Sequence, residues 1–372
     1  MLSSSVGAYT LAQTKGYGGD FFAYWVGSYQ LARGESFADS AQLRQIKGVV
    51  APAYNGPVDT WNPPWVMPLF IPLTWLPFEF ARLLWLDLSI CGLRWCAWSV
   101  WRIMAPNSLF FYRDFAVLLI VTLFFPATAW LLVIEQISIL LLIGLVGFLV
   151  FHENRPILAG FFLFVTTIKP HIVFILLPVL LLELLLRRQY KTLIAFFGMI
   201  ALFSIVTFGL RPTFLVEYFN KVDSGPIFTL LTPSLPVLLG HALVNPMWRL
   251  IGVFAAPLIW LAWLRVRYDA EWEMTTIVVW GIFASLLLAP YGYGFDFIIL
   301  LLAWWQLFIW LQAGLLSAGM GRFLLLSSAG VTIIFLSFEL LQILHVYALW
   351  VPIYVCVVYG VVAMNRNSDV AV

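Results

Sequence analysis

Phe115-Ala-Val-Leu-Leu-Ile-Val-Thr-Leu-Phe-Phe-Pro-Ala-Thr-Ala-Trp-Leu-Leu-Val-Ile134 contains no charged residue, and neither does Phe323-Leu-Leu-Leu-Ser-Ser-Ala-Gly-Val-Thr-Ile-Ile-Phe-Leu-Ser-Phe338. About 20 apolar residues cross a bilayer as a helix. In lipid each backbone N–H and C=O must be satisfied within its own segment, so runs of this kind read as α-helices. The period-two alternation that barrel strands require is absent. Composition agrees: the chain is 63% hydrophobic and 10% charged, against about 25% charged in a soluble domain. The predicted class is an all-α polytopic membrane protein. It is read as a single transmembrane domain over residues 1–372, with an N-terminal loop region at 1–64 and membrane helices and loops at 65–364.

The spans predicted from hydropathy are 79–101, 114–134, 137–151, 156–168, 171–186, 192–209, 248–264, 273–289, 296–313, 322–340 and 346–363. Alternate connections collect Arg102 and Arg113, Arg155, Arg187 with Arg188 and Lys191, Arg265 with Arg267, Arg322, and Arg366. By the positive-inside rule that side is cytoplasmic. The opposite connections are 135–136, 169–171, 210–247, 290–295 and 344–350, poorer in cations and rich in Pro, Gly, Tyr and Trp. The same count places residues 1–64 outside. They hold no run long enough for a span or a signal peptide, which leads to the expectation that a first span precedes this sequence. Residues 65–78 are apolar but carry three internal prolines, which disfavours a continuous helix and points to a re-entrant or interfacial segment.

A net charge of +2 offers no electrostatic footprint for nucleic acid. Cys91, Cys96 and Cys356 fall in apolar spans without metal-ligand or CxxC spacing, so they read as packing residues.

Chemistry is confined to a few clusters. Lys15-Gly-Tyr-Gly-Gly-Asp20-Phe-Phe-Ala-Tyr24-Trp25 delivers one carboxylate at the start of an amphipathic stretch, 21–33, whose apolar residues are expected to lie along the membrane surface. Asp20 reads either as the N-cap of that helix or as a general base at the membrane boundary. Asp59-Thr-Trp61-Asn62-Pro63-Pro64-Trp65 is a stiff, aromatic-flanked element: a turn anchoring the chain at the membrane, or a direct ligand contact. Glu35 and Asp39 sit in a polar stretch and read as solvated. Glu135-Gln136 interrupts two apolar spans and reads as a helix-end pair or a polar site.

Lys169-Pro170-His171 is more informative. An ammonium deep in an apolar stretch costs about 2.5–3.5 kcal/mol on insertion scales. A compact point charge beside a helix-breaking proline suits a phosphate; the plain alternative is a lysine snorkelling at the boundary. Pro290-Tyr291-Gly-Tyr293-Gly-Phe-Asp296 joins flexible backbone, two phenols and a carboxylate. Asp296 either caps its helix or orients a sugar or a cationic partner. Asn220, Lys221 and Asp223 in the 211–247 loop suit the lining of a cleft.

Taken in order, these clusters resemble the GT-C superfamily of polytopic glycosyltransferases, and within it glycosyltransferase family 87, whose members are polyprenyl-phosphate-mannose-dependent mannosyltransferase-like proteins. Gly19-Asp20-Phe21 with Tyr24 resembles the family's acidic motif. Asn62-Pro63-Pro64-Trp65, followed by Pro68, Pro72, Leu76 and Pro77, resembles its proline-rich approach to the membrane. Glu135-Gln136 is similar to its Gly-Gln pair, Ala159-Gly160 with Lys169-Pro170 to its "aG…KP" segment, and Pro290 through Asp296 to its "P…YD" motif. Two departures stand out: only nineteen residues precede Asp20, where the family has a span, and Glu135 stands where Gly is common.

The resemblance implies a GT-C-like helix bundle in the plasma (inner) membrane, with its active site on the extracytoplasmic face. It implies transfer of a hexose, mannose foremost, from a polyprenyl-phosphate donor to a lipid or glycan acceptor, with inversion. Asp20 then matches the catalytic base. Lys169, His171, Tyr24, Asp59, Trp61, Glu135, Gln136, Tyr291, Tyr293 and Asp296 form the substrate-binding set. No cofactor is implied beyond the lipid-linked donor, and no metal-ligand spacing stands out. Two rivals come from other classes. A transporter or flippase would place broken helices and binding groups near the bilayer midplane. A non-catalytic assembly factor would leave the carboxylate, lysine and aromatic clusters without a joint purpose.

Overall fold

The computed structural model describes residues 19–52, 54, 56–104, 111–224, 231–269, 272–340 and 348–369. All regular structure among them is helical. The Lys15–Gly18 part of the glycine-rich turn and the 344–347 part of a predicted connection lie outside the described residues.

In chain order the helices are α1 Phe21–Leu31, α2 Ser40–Val50, α3 Phe78–Met104, α4 Phe111–Leu123, α5 Pro126–Val133, α6 Ile139–Phe151, α7 Pro156–Val165 and α8 Leu176–Leu186. They continue as α9 Tyr190–Leu210, α10 Phe214–Ser224, α11 Leu235–Ala242, α12 Ile251–Asp269, α13 Met274–Leu288, α14 Leu301–Gln312, α15 Ala318–Leu340 and α16 Trp350–Asp369. Longer 3-10 turns occupy Pro64–Trp75 and Gly294–Leu300.

Four of these stretches are long and apolar enough to cross a membrane: Phe78–Met104, Tyr190–Leu210, Met247–Val266 and Gly294–Gln312. The bent pair Phe115–Leu123 and Pro126–Val133 is either a fifth, broken span or a re-entrant loop. The chain is a multi-pass membrane protein. The eleven continuous spans predicted from hydropathy need correction, however. Segment 114–134 is not one helix, because the chain turns by 63° before Pro126. Proline lacks the N–H an α-helix needs there and pushes the residue before it out of the α region. The segments predicted at 137–151, 156–168, 171–186 and 273–289 contain apolar helices of 10–17 residues. At 1.5 Å per residue, such helices fall short of a roughly 30 Å hydrocarbon core.

The chain forms two compact units. The first comprises Met1–Leu93, Trp130–Lys169 and Tyr190–Ile227, and the second Arg94–Ala129, Pro170–Gln189 and Phe228–Val372.

In the first unit α1 is enclosed. Ten of its eleven residues are buried, so the expectation of a helix lying on the membrane surface is overturned. The stretch is apolar on every side rather than along one stripe, and such a helix belongs in a core. Trp25 Nε1 donates to Leu73 O (3.2 Å) and Ser28 Oγ to Met67 O (3.0 Å), seating α1 on the Pro64–Trp75 turn. That turn carries Pro64, Pro68 and Pro72, which explains why 65–78 is not α-helical.

Helices α6, α7 and α9 pack through glycines. A Cβ at Gly147 would lie 2.3 Å from the Phe162 ring, and one at Gly144 2.8 Å from Phe162 O. One at Gly160 would lie 2.5 Å from Ala195 Cβ and 2.7 Å from Thr192 O. Where lipid competes with helices for apolar contact, such close approach is what holds helices together.

In the second unit α8 meets α13 at Gly281, where a Cβ would lie 2.5 Å from Leu176 Cδ1. Leu176 N also donates to Ser285 Oγ (2.9 Å). Helix α14 is buried along nearly its whole length. Trp305 Nε1 donates to Thr122 Oγ1 (2.7 Å) and Tyr359 Oη to Gln306 Oε1 (2.8 Å), tying α4 and α16 to it.

The packing makes Gly160 and Gly198, both glycines within helices of the first unit, an informative pair. A Cβ at Gly198 on α9 meets nothing within 4 Å. Gly160→Leu should cost at least the ~1–3 kcal/mol typical of overpacking. It should lower the thermal midpoint followed by size-exclusion chromatography in detergent, while Gly198→Leu leaves that midpoint in place. Equal midpoints would show that the glycine contact carries no stability.

Candidate active site

The site is built around the end of α5. Gln136 N donates to Leu131 O (3.0 Å), and Glu135 takes a left-handed φ of +57°. This six-to-one closure of a helix normally has glycine at the left-handed position. A non-glycine residue held there costs of order 1–3 kcal/mol. The Glu135 side chain is the compensation. Its Oε1 receives Arg82 Nε of α3 at 2.5 Å, and its carbonyl oxygen receives Trp85 Nε1 at 3.2 Å. Arg82 is 1% exposed.

The same turn holds Asp20. Asp20 N donates to Ile134 O (2.6 Å), and Gln136 Nε2 donates to Asp20 Oδ2 (2.6 Å). The orientation of the amide is determined by its other end. Gln136 Oε1 accepts from Ile137 N (2.8 Å) and from Tyr24 Oη (3.3 Å), so the NH₂ must face the carboxylate. Asp20 stands at the N-cap position of α1 but makes no side-chain capping bond. The capping reading is therefore overturned; the carboxylate is directed at Gln136 instead.

Two residues further on, Ser138 Oγ accepts from Lys169 Nζ (2.8 Å). Lys169 is 5% exposed, so it neither snorkels nor lacks a protein partner, as its isolation in sequence suggested. Ile168 O accepts from Asn62 Nδ2 (2.6 Å), and Trp65 Nε1 donates to Thr167 Oγ1 (3.2 Å). The proline-rich element thus grips the turn that carries Lys169.

Asp59 sits on the flank of that element. Its Oδ1 lies 3.0 Å from Lys221 Nζ and accepts from Ser40 Oγ (2.5 Å). Burial pulls the Asp59 carboxyl upward, but the Ser40 hydroxyl and the Lys221 ammonium outweigh it and leave its pKa below the usual carboxylate value. Tyr218 Oη donates to Trp61 O (3.3 Å). Asp39, read as solvated, caps α2 by accepting from Ala41 N and Gln42 N.

The remaining predicted residues belong to the second unit. Tyr291 Oη and His171 Nδ1 are 3.0 Å apart, and their rings stack with centroids 3.9 Å apart. Asp296 is fully buried, and its Oδ2 accepts from Tyr293 N (3.0 Å) in a capping box. Of the two readings of Asp296, the cap is the one its geometry displays. Among the described residues no cluster of three His, Cys, Asp or Glu side chains is placed to hold a metal ion.

Sequence reasoning missed Arg82, Ser138 and Tyr54. A guanidinium inside a predicted span was a signal for Arg82, since an ionisable residue at membrane depth rarely lacks a role. Tyr54 gave none. Its hydroxyl is buried. Burial, then the nearby Asp20 and Glu135 carboxylates, holds its pKa well above the usual phenol value.

In a multi-pass helical membrane protein, a carboxylate and an ammonium are thus held by one short segment, Gln136 to Ser138, of the first unit. The sequence profile of Glycosyltransferase family 87 matches residues 60–290. That is more than half of the chain, and the chain belongs to this family. It is a membrane glycosyltransferase. The match includes Arg82, Glu135, Gln136, Ser138 and Lys169, whereas Asp20 and Tyr24 lie upstream of it. No curated protein and no solved structure matched the chain.

The buried Glu135 yields a pH prediction. Burial raises its pKa from 4.5 to about 7, against the pull of Arg82. The folded chain therefore holds this proton where an unfolded one has lost it. The resulting contribution to stability is present below about 4.5 and disappears as pH rises through about 7. Infrared difference spectra of the protein in liposomes should show a protonated-carboxyl stretch that disappears with a midpoint near 7 and is absent in Glu135→Gln. In Arg82→Gln the midpoint should move upward. A midpoint near 4.5 would contradict this.

Proposed function

We propose that the protein transfers a hexose, mannose foremost, from a polyprenyl-phosphate sugar to a lipid or glycan hydroxyl on the extracytoplasmic face of the plasma (inner) membrane. The observation that carries this reading is the 136–138 segment, from which Gln136 holds the Asp20 carboxylate and Ser138 holds the Lys169 ammonium. A sugar phosphate already has a good leaving group. The enzyme must accept the acceptor's proton and offset the charge of the departing phosphate.

Asp20 is partly exposed, as a base that meets a substrate hydroxyl must be. The acceptor oxygen attacks the anomeric carbon and its proton passes to Asp20. The bond from that carbon to the phosphate oxygen breaks, and polyprenyl phosphate leaves with its charge toward Lys169. Attack opposite the leaving group inverts the anomeric centre. A positioned base contributes typically ~10²–10⁴-fold, and electrostatic stabilisation of the leaving group adds to it. The Ser138 hydroxyl accepts from this ammonium and so fixes where its charge sits. Asp59 and Trp61 remain in this reading as binding residues.

Purified protein in liposomes with polyprenyl-phosphate mannose and a lipid-linked acceptor tests the proposal. Asp20→Asn should lower turnover at least ~10²-fold while donor binding persists. Lys169→Ala should weaken donor binding, and Lys169→Arg should restore it only in part, since a planar fork differs from a point charge. Wild-type turnover in Asp20→Asn would remove Asp20 from the base role. Turnover of a soluble nucleotide sugar without any lipid carrier would overturn the donor assignment.

A further inference from the structure

Helix α10 has its polarity reversed relative to a helix of a water-soluble protein. The residues of its inward face, spaced by three and four, are Phe214, Glu217, Tyr218 and Lys221, and two of them are ionisable groups engaged by the protein. Glu217 accepts from Arg211 Nε (2.7 Å), Thr213 Oγ1 (2.5 Å) and Ser36 Oγ (2.7 Å), and Lys221 pairs with Asp59. Its outward face is apolar. Leu215 is 44% exposed, and Val216 and Phe219 are each 64% exposed. Asn220, at the edge of this face, and Asp223, one turn beyond Phe219 at its C-terminal end, are exposed polar residues.

Three contiguous bulky apolar groups on one helix face mark an interaction surface. Continuity with α9 names the occupant. That helix is long and apolar enough to span a bilayer, and it presents Ile194, Phe197, Ile205 and Phe208 outward. Only Arg211-Pro212-Thr213 separate its last residue, Leu210, from α10. Proline ends the span there, and the chain resumes as a short helix with a large polar-to-apolar asymmetry. This is the pattern of a helix lying in the plane of the membrane interface.

We propose that α10 rests in the bilayer interface, with Leu215, Val216 and Phe219 immersed among lipid acyl chains and its inward face joined to the protein. The consequence reaches the site described above. Through Lys221–Asp59 and Tyr218–Trp61, α10 holds the 59–65 element, and that element in turn holds the turn bearing Lys169. Lipid contact at α10 thereby helps position the Lys169 turn.

Nitroxide labels report this without any assay of turnover, so failure here is separable from failure of the proposed transfer. In a background with Cys91, Cys96 and Cys356 replaced by Ser, single variants Leu215→Cys, Val216→Cys, Phe219→Cys, Asn220→Cys and Asp223→Cys are labelled and reconstituted in liposomes. Power saturation with oxygen and with a nickel chelate should place 215, 216 and 219 at positive depth, oxygen-accessible and nickel-protected. Labels at 220 and 223 should be accessible to nickel. Nickel access at all five positions would overturn the proposal. So would protection of 215, 216 and 219 from both reagents, which would put a second copy or another protein segment on this face.

Discussion

The structure of the first unit depends on how α5 ends. A left-handed residue at Glu135 reverses the chain so that Ile134 O, Gln136 and Ser138 face three separate elements. Glycine would make that reversal without strain. Glutamate does so at a conformational cost, and its carboxylate reaches across to the buried Arg82 of α3. Removing the Glu135 carboxylate would take a charge partner from the buried Arg82 guanidinium, a larger cost than the pair's own stabilisation. The pair therefore fixes the register between α3 and the α5–α6 turn, and Asp20 inherits its position from that register. Gly19 completes the fit: a Cβ there would lie 2.5 Å from Glu135 Oε2.

A division of labour follows within this unit. Glycine contacts among α6, α7 and α9 supply a rigid floor, and α7 leads directly into the turn that carries Lys169. Helix α1, enclosed by aromatic rings, brings Asp20 in from the other direction; Phe21 stacks on Trp85 with centroids 5.4 Å apart. Neither charged group is placed by a loop alone, so both are held by packed elements. That is the arrangement a preorganised electrostatic site requires.

The helical membrane class was legible because apolar runs and scarce charge leave no other satisfied backbone. Several candidates were legible for the same reason: polar groups such as Glu135, Gln136 and Lys169 are conspicuous in an apolar sequence. What sequence could not show was which way they point. Asp20 at a helix start satisfies the pattern of a cap, and only the fixed amide of Gln136 reveals that its carboxylate is used elsewhere. Lys169 looked isolated because Ser138, its partner, lies thirty-one positions away. Hydropathy also merged what proline separates. The bend before Pro126 and the short helices on either side of Lys169 are invisible to a window that averages over about 19 residues. The reversed polarity of α10 was likewise hidden, since Lys221 read as lining a cleft and the partners of Glu217 lie outside its own helix.

The account stands on Asp20 and Lys169 serving one donor from one side of the bundle. An experimental structure in lipid with a non-transferable polyprenyl-phosphonate sugar bound tests this most directly. The account predicts a phosphonate oxygen about 3 Å from Lys169 Nζ, with the Asp20 carboxylate facing the side of the anomeric carbon opposite the phosphonate. A phosphonate bound away from Lys169, with Asp20 remote from the anomeric carbon, would contradict it.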